Sequence, residues 1–186
     1  MRSVFALALT LLAPLAFAAD AKKGGVKSVE ATFEPAQAKP GQTVTLKLTV
    51  TLEEGYYTYP LVQEDKAAAG MVNKLEFPKA GGVVFVGEAL DPAGAKSKAE
   101  PVLGIEKMLY YTGTAVYERT AVISPSAKPG EVTVELPKFS LSVCDKDNCF
   151  PPKALKPTAK LKVLDGPAVA VDKKYAEEVE KALKEK

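Results

Sequence analysis

From Thr43 to Leu52 the chain alternates without a break between apolar and polar side chains. Val44, Leu46, Leu48, Val50 and Leu52 fall on one side, and Thr43, Thr45, Lys47, Thr49 and Thr51 on the other. A period of two over this length fits an extended strand with one buried face, because a helix would scatter the same residues around its axis. Pro40-Gly41 ahead of it is a turn. Glu131 to Leu136 repeats the pattern with Val132, Val134 and Leu136 inward, entered through Ala127-Lys128-Pro129-Gly130. Thr158 to Val163 repeats it again with Ala159, Leu161 and Val163. Ser28–Phe33, Val72–Phe77, Val83–Val86 and Thr114–Ile123 are further strand candidates. Short strands at this spacing, punctuated by Pro and Gly, predict an all-β chain, an antiparallel β-sandwich of immunoglobulin-like type.

The tail reads differently. Asp172 is placed to cap a helix from Lys173 to about Lys184, with Tyr175, Val179 and Leu183 as a narrow apolar stripe. Glu177–Lys181 and Glu180–Lys184 have the i,i+4 spacing that favours it. Gly94 to Glu100 reads as a flexible loop and Ala19 to Lys27 as a disordered leader. The expected organisation is a leader peptide over 1–18, a flexible segment over 19–27, one domain over 28–165 and a tail with its helix over 166–186.

The first residues set the compartment. Arg2, the apolar run from Val4 to Leu15 and the small-x-small pattern Ala16-Phe17-Ala18 have the form of a secretory signal, too short to span a bilayer. No later stretch approaches the length of an apolar spanning helix, so the mature chain is expected to be exported, soluble and not inserted in a membrane. Lys+Arg 25 against Asp+Glu 23 makes no electrostatic case for nucleic acid. The chain has His 0, which removes the usual general base and the commonest metal ligand. Histidine-dependent serine and cysteine hydrolases are thereby excluded. Two cysteines without histidine do not complete a tetrahedral zinc site unless carboxylates join them.

Those two cysteines, Cys144 and Cys149, stand in Val143-Cys-Asp-Lys-Asp-Asn-Cys-Phe-Pro-Pro-Lys153. Outside the reducing cytosol they are expected to pair. The bridge closes a ring of about six residues, for which chain entropy gives only roughly 2 kcal/mol. That is poor reinforcement for a domain and suits a redox couple, although a local structural disulfide shares the same spacing. Phe139, Leu141 and Val143 alternate inward, so Cys144 points to the other face near a strand end, and neither thiol falls in the core by pattern. Asp147-Asn148 is turn-forming, and Pro151 biases Phe150 toward an extended shape. Asp145 and Asp147 against Lys146 leave the loop net negative, which disfavours a free thiolate and suits a pair that reacts when a partner docks.

Cys144-Asp-Lys-Asp-Asn-Cys149-Phe-Pro-Pro resembles the active-site stretch of the amino-terminal periplasmic domain of DsbD, the thiol:disulfide interchange protein. Glu54-Gly55-Tyr56-Tyr57-Thr58-Tyr59 is similar to the Gly-Tyr-Tyr-x-Tyr strand of that family. Tyr110-Tyr111, followed by Val116-Tyr117-Glu118, falls where the family has its aromatic cap loop and the next strand. The matches keep the family's order over about Val29 to Val163. The resemblance implies an immunoglobulin-like sandwich that takes reducing equivalents from the thioredoxin-like donor module of a membrane thiol transporter. It would pass them to periplasmic thioredoxin-fold proteins such as disulfide isomerases or cytochrome c maturation factors, without a cofactor. It implies that Cys149 forms the mixed disulfide with partners and Cys144 resolves it. It makes Tyr57 and Tyr59 the wall of the disulfide and Tyr110 and Tyr111 its cap, hinged at Gly104 and Gly113. Phe150, Pro151 and Pro152 then form a stiff surface on which a partner groove rests.

Two departures stand out. Met108 and Leu109 occupy the places of acidic cap-loop residues in well-known members, so any acidic tuning falls to Asp145 or Asp147. Full-length DsbD continues into membrane and thioredoxin-like domains, whereas this chain ends at Lys186, so the donor is expected on another polypeptide. Three classes compete at this stage: a periplasmic redox relay, a non-catalytic immunoglobulin-like binding module whose disulfide shapes a loop, and a copper(I) carrier using Met71 and Met108 with the cysteines. The tyrosines read equally as ordinary strand packing.

Overall fold

A strand with one apolar face needs hydrogen-bonding partners on its edges and a cover over that face. The computed structural model describes residues 24–185, and there Thr43–Leu52 has both. In chain order the strands are β1 (Val26–Glu34), β2 (Gln37–Ala38), β3 (Thr43–Leu52), β4 (Tyr57–Thr58), β5 (Lys74–Glu76), β6 (Val83–Phe85) and β7 (Lys96–Glu100). They continue as β8 (Ile105–Thr112), β9 (Thr114–Ile123), β10 (Gly130–Glu135), β11 (Lys138–Leu141), β12 (Val143–Cys144), β13 (Lys153–Leu155) and β14 (Thr158–Val163). One helix, α1 (Ala176–Lys184), follows, and tight 3-10 turns cover Lys66–Ala68 and Pro101–Leu103.

β3 is an inner strand of a sheet ordered β1-β3-β9-β6, with Leu48 opposite Ala31 on one side and Tyr117 on the other. The other sheets run β10-β14-β2, β13-β11-β5 and β12-β4-β8-β7. Every pairing is antiparallel except β14 with β2. The result is an all-β sandwich with one C-terminal helix. Val44, Leu46, Leu48, Val50 and Leu52 are buried against Leu136, Phe139, Leu141, Leu161 and Val163. Val134 and Leu136 are buried as their alternation requires, whereas Val132 is only partly covered at the edge of the core.

Three expectations are corrected. Lys96–Glu100 is no loop: it is β7, paired with β8 through Lys96 opposite Tyr110 and Lys98 opposite Met108. Its polar composition is that of an edge strand, which hydrogen-bonds on one side and faces solvent on the other. Val26 and Lys27 belong to β1, not to a leader, because Val26 is buried and pairs with Leu52. The signal sequence and the start of that leader lie outside the described residues. Asp172 closes a turn instead of capping the helix: its carboxylate accepts from Lys174 N at 2.9 Å and its carbonyl from Tyr175 N at 2.9 Å. The helix begins at Ala176, with Glu177 and Glu178 in the first turn, where the helix dipole favours negative charge.

The apolar stripe of α1 has a partner. Val179, Tyr175 and Leu183 pack on Val84, Val86 and Val122, the outward face of β6 and β9, and Glu180 pairs with Lys184. Gly87 N donates to Glu178 Oε2 at 2.8 Å and ties the helix to the end of β6. Among the described residues no helix is long and apolar enough to cross a membrane.

Leu48 is fully buried at the centre of β3. Leu48→Ala is expected to cost ~2–5 kcal/mol, the range for a leucine truncated in a packed interior. In urea unfolding the midpoint should fall with the slope unchanged. A midpoint equal to the unsubstituted protein's would show that β3 is not at the centre of the core.

Candidate thiol–disulfide site

β4 is two residues long and lies between β12 and β8. Tyr57 sits opposite Cys144 and Thr112, and Thr58 opposite Val143 and Tyr111. Residues opposite one another share a face of a sheet, so the register sorts the neighbourhood into two sides. Val143 and Tyr111 turn into the main core. Cys144, Tyr57, Tyr59, Tyr110 and Met108 turn the other way, into a second cluster that also holds Ile105, Ala68 and Met71.

This corrects the placement of Cys144. Alternation puts it on the face away from Val143, but that face is covered by Tyr59, Ile105, Met108 and the Lys66–Ala68 turn, and Cys144 is 1% exposed. Cys149 is exposed. The two are bonded to each other, with Cα atoms 4.0 Å apart. Among the described residues there is no free cysteine.

The loop between them is built by Asp145. Its Oδ1 accepts from Asp147 N at 2.8 Å and from Asn148 N at 2.7 Å, the pattern by which an aspartate side chain makes a turn. Asp145 N donates to Asn148 O at 2.8 Å and Phe150 N to Val143 O at 3.0 Å. Asp147 faces solvent, 3.8 Å from Lys146. Beyond Cys149, Pro151 and Pro152 are exposed. Phe150 is half-buried beside Tyr56, with ring centroids 6.0 Å apart. Gly25 has φ 77°, and a Cβ there would overlap the Tyr56 ring, so glycine at this position makes room for the aromatic under the loop.

The closest polar group to the disulfide is the Tyr59 hydroxyl. It lies 3.1 Å from Cys144 Sγ and 3.5 Å from Cys149 Sγ. Neither sulfur of a disulfide carries a hydrogen, so the phenol O–H donates. Burial, reinforced by neighbouring Tyr57, raises the Tyr59 pKa above that of an ordinary tyrosine and keeps that hydrogen in place. Tyr57 meets Tyr59 edge-on at 5.8 Å and Tyr110 at 5.3 Å. Lys98 of β7 closes the outside of this group. Its Nζ lies 4.4 Å from the Tyr57 ring centre, donates to Tyr57 OH at 3.1 Å and pairs with Glu100 at 2.8 Å. Burial lowers the Lys98 pKa, but Glu100 and Tyr57 outweigh it and the ammonium stays charged.

Of the four expected wall and cap residues, Tyr57, Tyr59 and Tyr110 come together. Tyr111 does not: it is buried in the main core, where burial pushes its pKa up to about 12. Adjacent residues of a strand cannot both face the disulfide. Gly113 has φ 71° and carries the chain from β8 in one sheet to β9 in the other, a crossover more than a cap hinge.

Asn73 was not singled out in the sequence. It is 1% exposed, and its Nδ2 lies 2.7 Å from Tyr59 O, 2.7 Å from Tyr117 OH and 2.9 Å from Thr58 Oγ1. Its Oδ1 accepts from Ser142 N at 2.7 Å. Thr58 Oγ1 donates to Ser142 O at 2.7 Å and Tyr117 OH to Tyr59 O at 2.6 Å. Its only sequence signal is a polar side chain between Val72 and Lys74, which reads equally as a turn residue. Lys98 was hidden because its strand read as a loop.

No family model matches the chain, and no curated protein matches it. Among solved structures it is similar to the N-terminal periplasmic domain of ScsB from Proteus mirabilis. The identity is 15% and the TM-score 0.42, with 80% of this chain and 51% of that chain covered. The chain thus spans about half of that solved chain. Nothing about function follows from a likeness at that level.

Chemically, the arrangement offers one sulfur to solvent and keeps the other under a phenol donor. After reduction, a limiting dose of a small alkylating agent is expected to modify Cys149 before Cys144, read by peptide mass mapping. Equal labelling of both would contradict the asymmetry in burial.

Proposed function

We propose that this chain is a periplasmic thiol:disulfide interchange protein that relays reducing equivalents through Cys144 and Cys149 to or from thioredoxin-fold partners. The observation that carries the reading is the unequal setting of the two sulfurs: Cys149 exposed on a loop that runs into Pro151-Pro152, and Cys144 buried with the Tyr59 hydroxyl 3.1 Å away. The cysteine and tyrosine motifs that resemble the DsbD amino-terminal domain point the same way. The leader at residues 1–18 supplies the compartment, where the cytosolic thiol pool does not hold such pairs reduced.

The exchange runs in balanced steps. A partner thiolate attacks Cys149 Sγ, a bond forms between those sulfurs, and the Cys149–Cys144 bond breaks. The electron pair of that bond stays on Cys144 Sγ as a thiolate, and the Tyr59 O–H donates to it. The partner's second thiolate then attacks its own sulfur in the mixed disulfide, leaving the partner oxidised and this pair reduced. In the other direction the Cys149 thiolate attacks a target disulfide. Cys144 then attacks Cys149 Sγ and restores the intramolecular bond, leaving the target as a dithiol. The direction follows the relative potentials of the couples. Thiol exchange needs the attacked sulfur in line with the incoming thiolate, which suits exposed Cys149 and not buried Cys144.

A second reading has one observation behind it. Asp145 already holds the turn between the cysteines with two hydrogen bonds, as a loop with a purely structural bridge would require. The two readings differ in potential, since structural disulfides typically lie below about −300 mV.

Serine variants test the relay. Cys144→Ser leaves Cys149 as a free thiol that should attack the disulfide of an oxidised thioredoxin-like partner and accumulate a long-lived mixed disulfide, and Cys149→Ser should accumulate little. The reverse pattern swaps the roles, and no adduct from either favours the structural bridge. Tyr59→Phe removes only the hydroxyl. It is expected to slow opening of the disulfide by dithiothreitol roughly tenfold, because a hydrogen bond to a charged group contributes about 1.5–3 kcal/mol. An unchanged rate would remove the phenol from the exchange.

A further inference from the structure

We infer that Asn73 is the positioning residue of this site: a buried amide that holds the Tyr59 hydroxyl on the disulfide sulfurs by clamping together the two backbone segments that carry them. The inference rests on the exchange reading above and adds to it a residue that touches neither sulfur.

The clamp sits where the ladders stop. β4 ends at Thr58, so the carbonyl of Tyr59 lies past the last residue of that strand. β11 ends at Leu141 and β12 begins at Val143, so Ser142 falls in the gap between two strands. Both points are buried or nearly so, and buried peptide groups without partners are costly. Asn73 meets both: its Nδ2 reaches Tyr59 O at 2.7 Å, and its Oδ1 accepts from Ser142 N at 2.7 Å. The orientation of the amide is settled by chemistry. Ser142 N–H can only donate and Tyr59 C=O can only accept, so oxygen must face the first and nitrogen the second. The amide itself is anchored, because Asn73 N donates to Pro60 O at 2.8 Å. Tyr117 OH adds a second hydrogen to Tyr59 O at 2.6 Å.

Tyr59 carries the donor, and Ser142 lies two residues before the sulfur that receives it. Holding those two backbone points together, with the Tyr59 ring packed edge-on against Tyr57, narrows the distance between phenol and sulfur. The hydroxyl–sulfur contact of 3.1 Å is close for so large an acceptor, and it weakens as the two segments move apart. Asparagine suits the position because one planar group presents a donor and an acceptor on opposite sides. Leucine has the same branched outline of heavy atoms, a larger volume and neither group.

A double-mutant cycle on the full chain tests this, with the second-order rate of disulfide opening by dithiothreitol as the readout. Asn73→Leu is expected to slow opening about tenfold, which is 1.4 kcal/mol. In a Tyr59→Phe background the same substitution is expected to change the rate by less than about twofold, since interacting residues give non-additive effects. Tyr117→Phe covers the case in which Asn73→Leu does not fold. It keeps the ring that packs on Phe139, removes one hydrogen bond to Tyr59 O, and should slow opening in the same direction, again only when the Tyr59 hydroxyl is present. A wild-type rate in Asn73→Leu overturns the inference. So does an equal loss with and without the Tyr59 hydroxyl, which would mark Asn73 as support for the fold alone. The readout uses a small thiol and no protein partner, so partner trapping and this cycle can fail independently.

Discussion

A peptide group carried into an apolar interior must find a hydrogen-bond partner there, and the neighbourhood of the disulfide is arranged around that requirement. β4 and β12 are only two residues long. Strands that short leave carbonyls and amides beyond their ends, and here those ends are buried. Asn73, Thr58 and Tyr117 supply the missing partners from side chains. The same bonds that satisfy the backbone also set the spacing between Tyr59 and Cys144. Stability and chemistry are served by one set of contacts, so the site cannot relax without exposing unsatisfied polar groups.

The larger strands were legible because alternation is a direct record of which face is buried. β3, β9 and β14 run from the same first to last residue as the pattern in the sequence; β3 and β14 have one face against the core and one polar, and β9 adds Val122, which packs under α1. The pattern failed where burial is not one-sided. Cys144 was placed correctly on the face opposite Val143, but alternation does not say whether a second layer covers that face. Here Tyr59, Ile105, Met108 and the Lys66–Ala68 turn do. β7 was unreadable for the complementary reason: an edge strand rich in Lys, Ser and Glu carries no apolar periodicity, and its existence depends on the edge of β8 beside it. Tyr110 and Tyr111 look like one aromatic unit in sequence, yet neighbours on a strand belong to different layers. Asn73 was the hardest to see. Its role comes from four groups brought to it by distant segments, and nothing local marks it.

In the proposed exchange the two sulfurs divide the requirements between them. Attack needs access, and Cys149 has it at the start of a proline-stiffened stretch. A departing thiolate needs a donor and shelter from stray thiols and oxidants, and Cys144 has both beneath Tyr59 and the Tyr57–Tyr110 pair. Burial of Tyr59 serves the same end, because it keeps the phenol protonated and able to donate.

The sheet that carries the disulfide also ends in a particular way. At one edge lies β12, too short to template a further strand; at the other lies β7, which carries Lys96 and Lys98, their ammonium groups turned back to Thr112 and Tyr57. Open edges of β-sheets invite strand addition, and lysines placed there discourage it. Strand addition is thereby disfavoured at both edges of this sheet. A molecule that approaches by lengthening the sheet along β7 would have to cover Lys98 and the carboxylate of Glu100 that it holds.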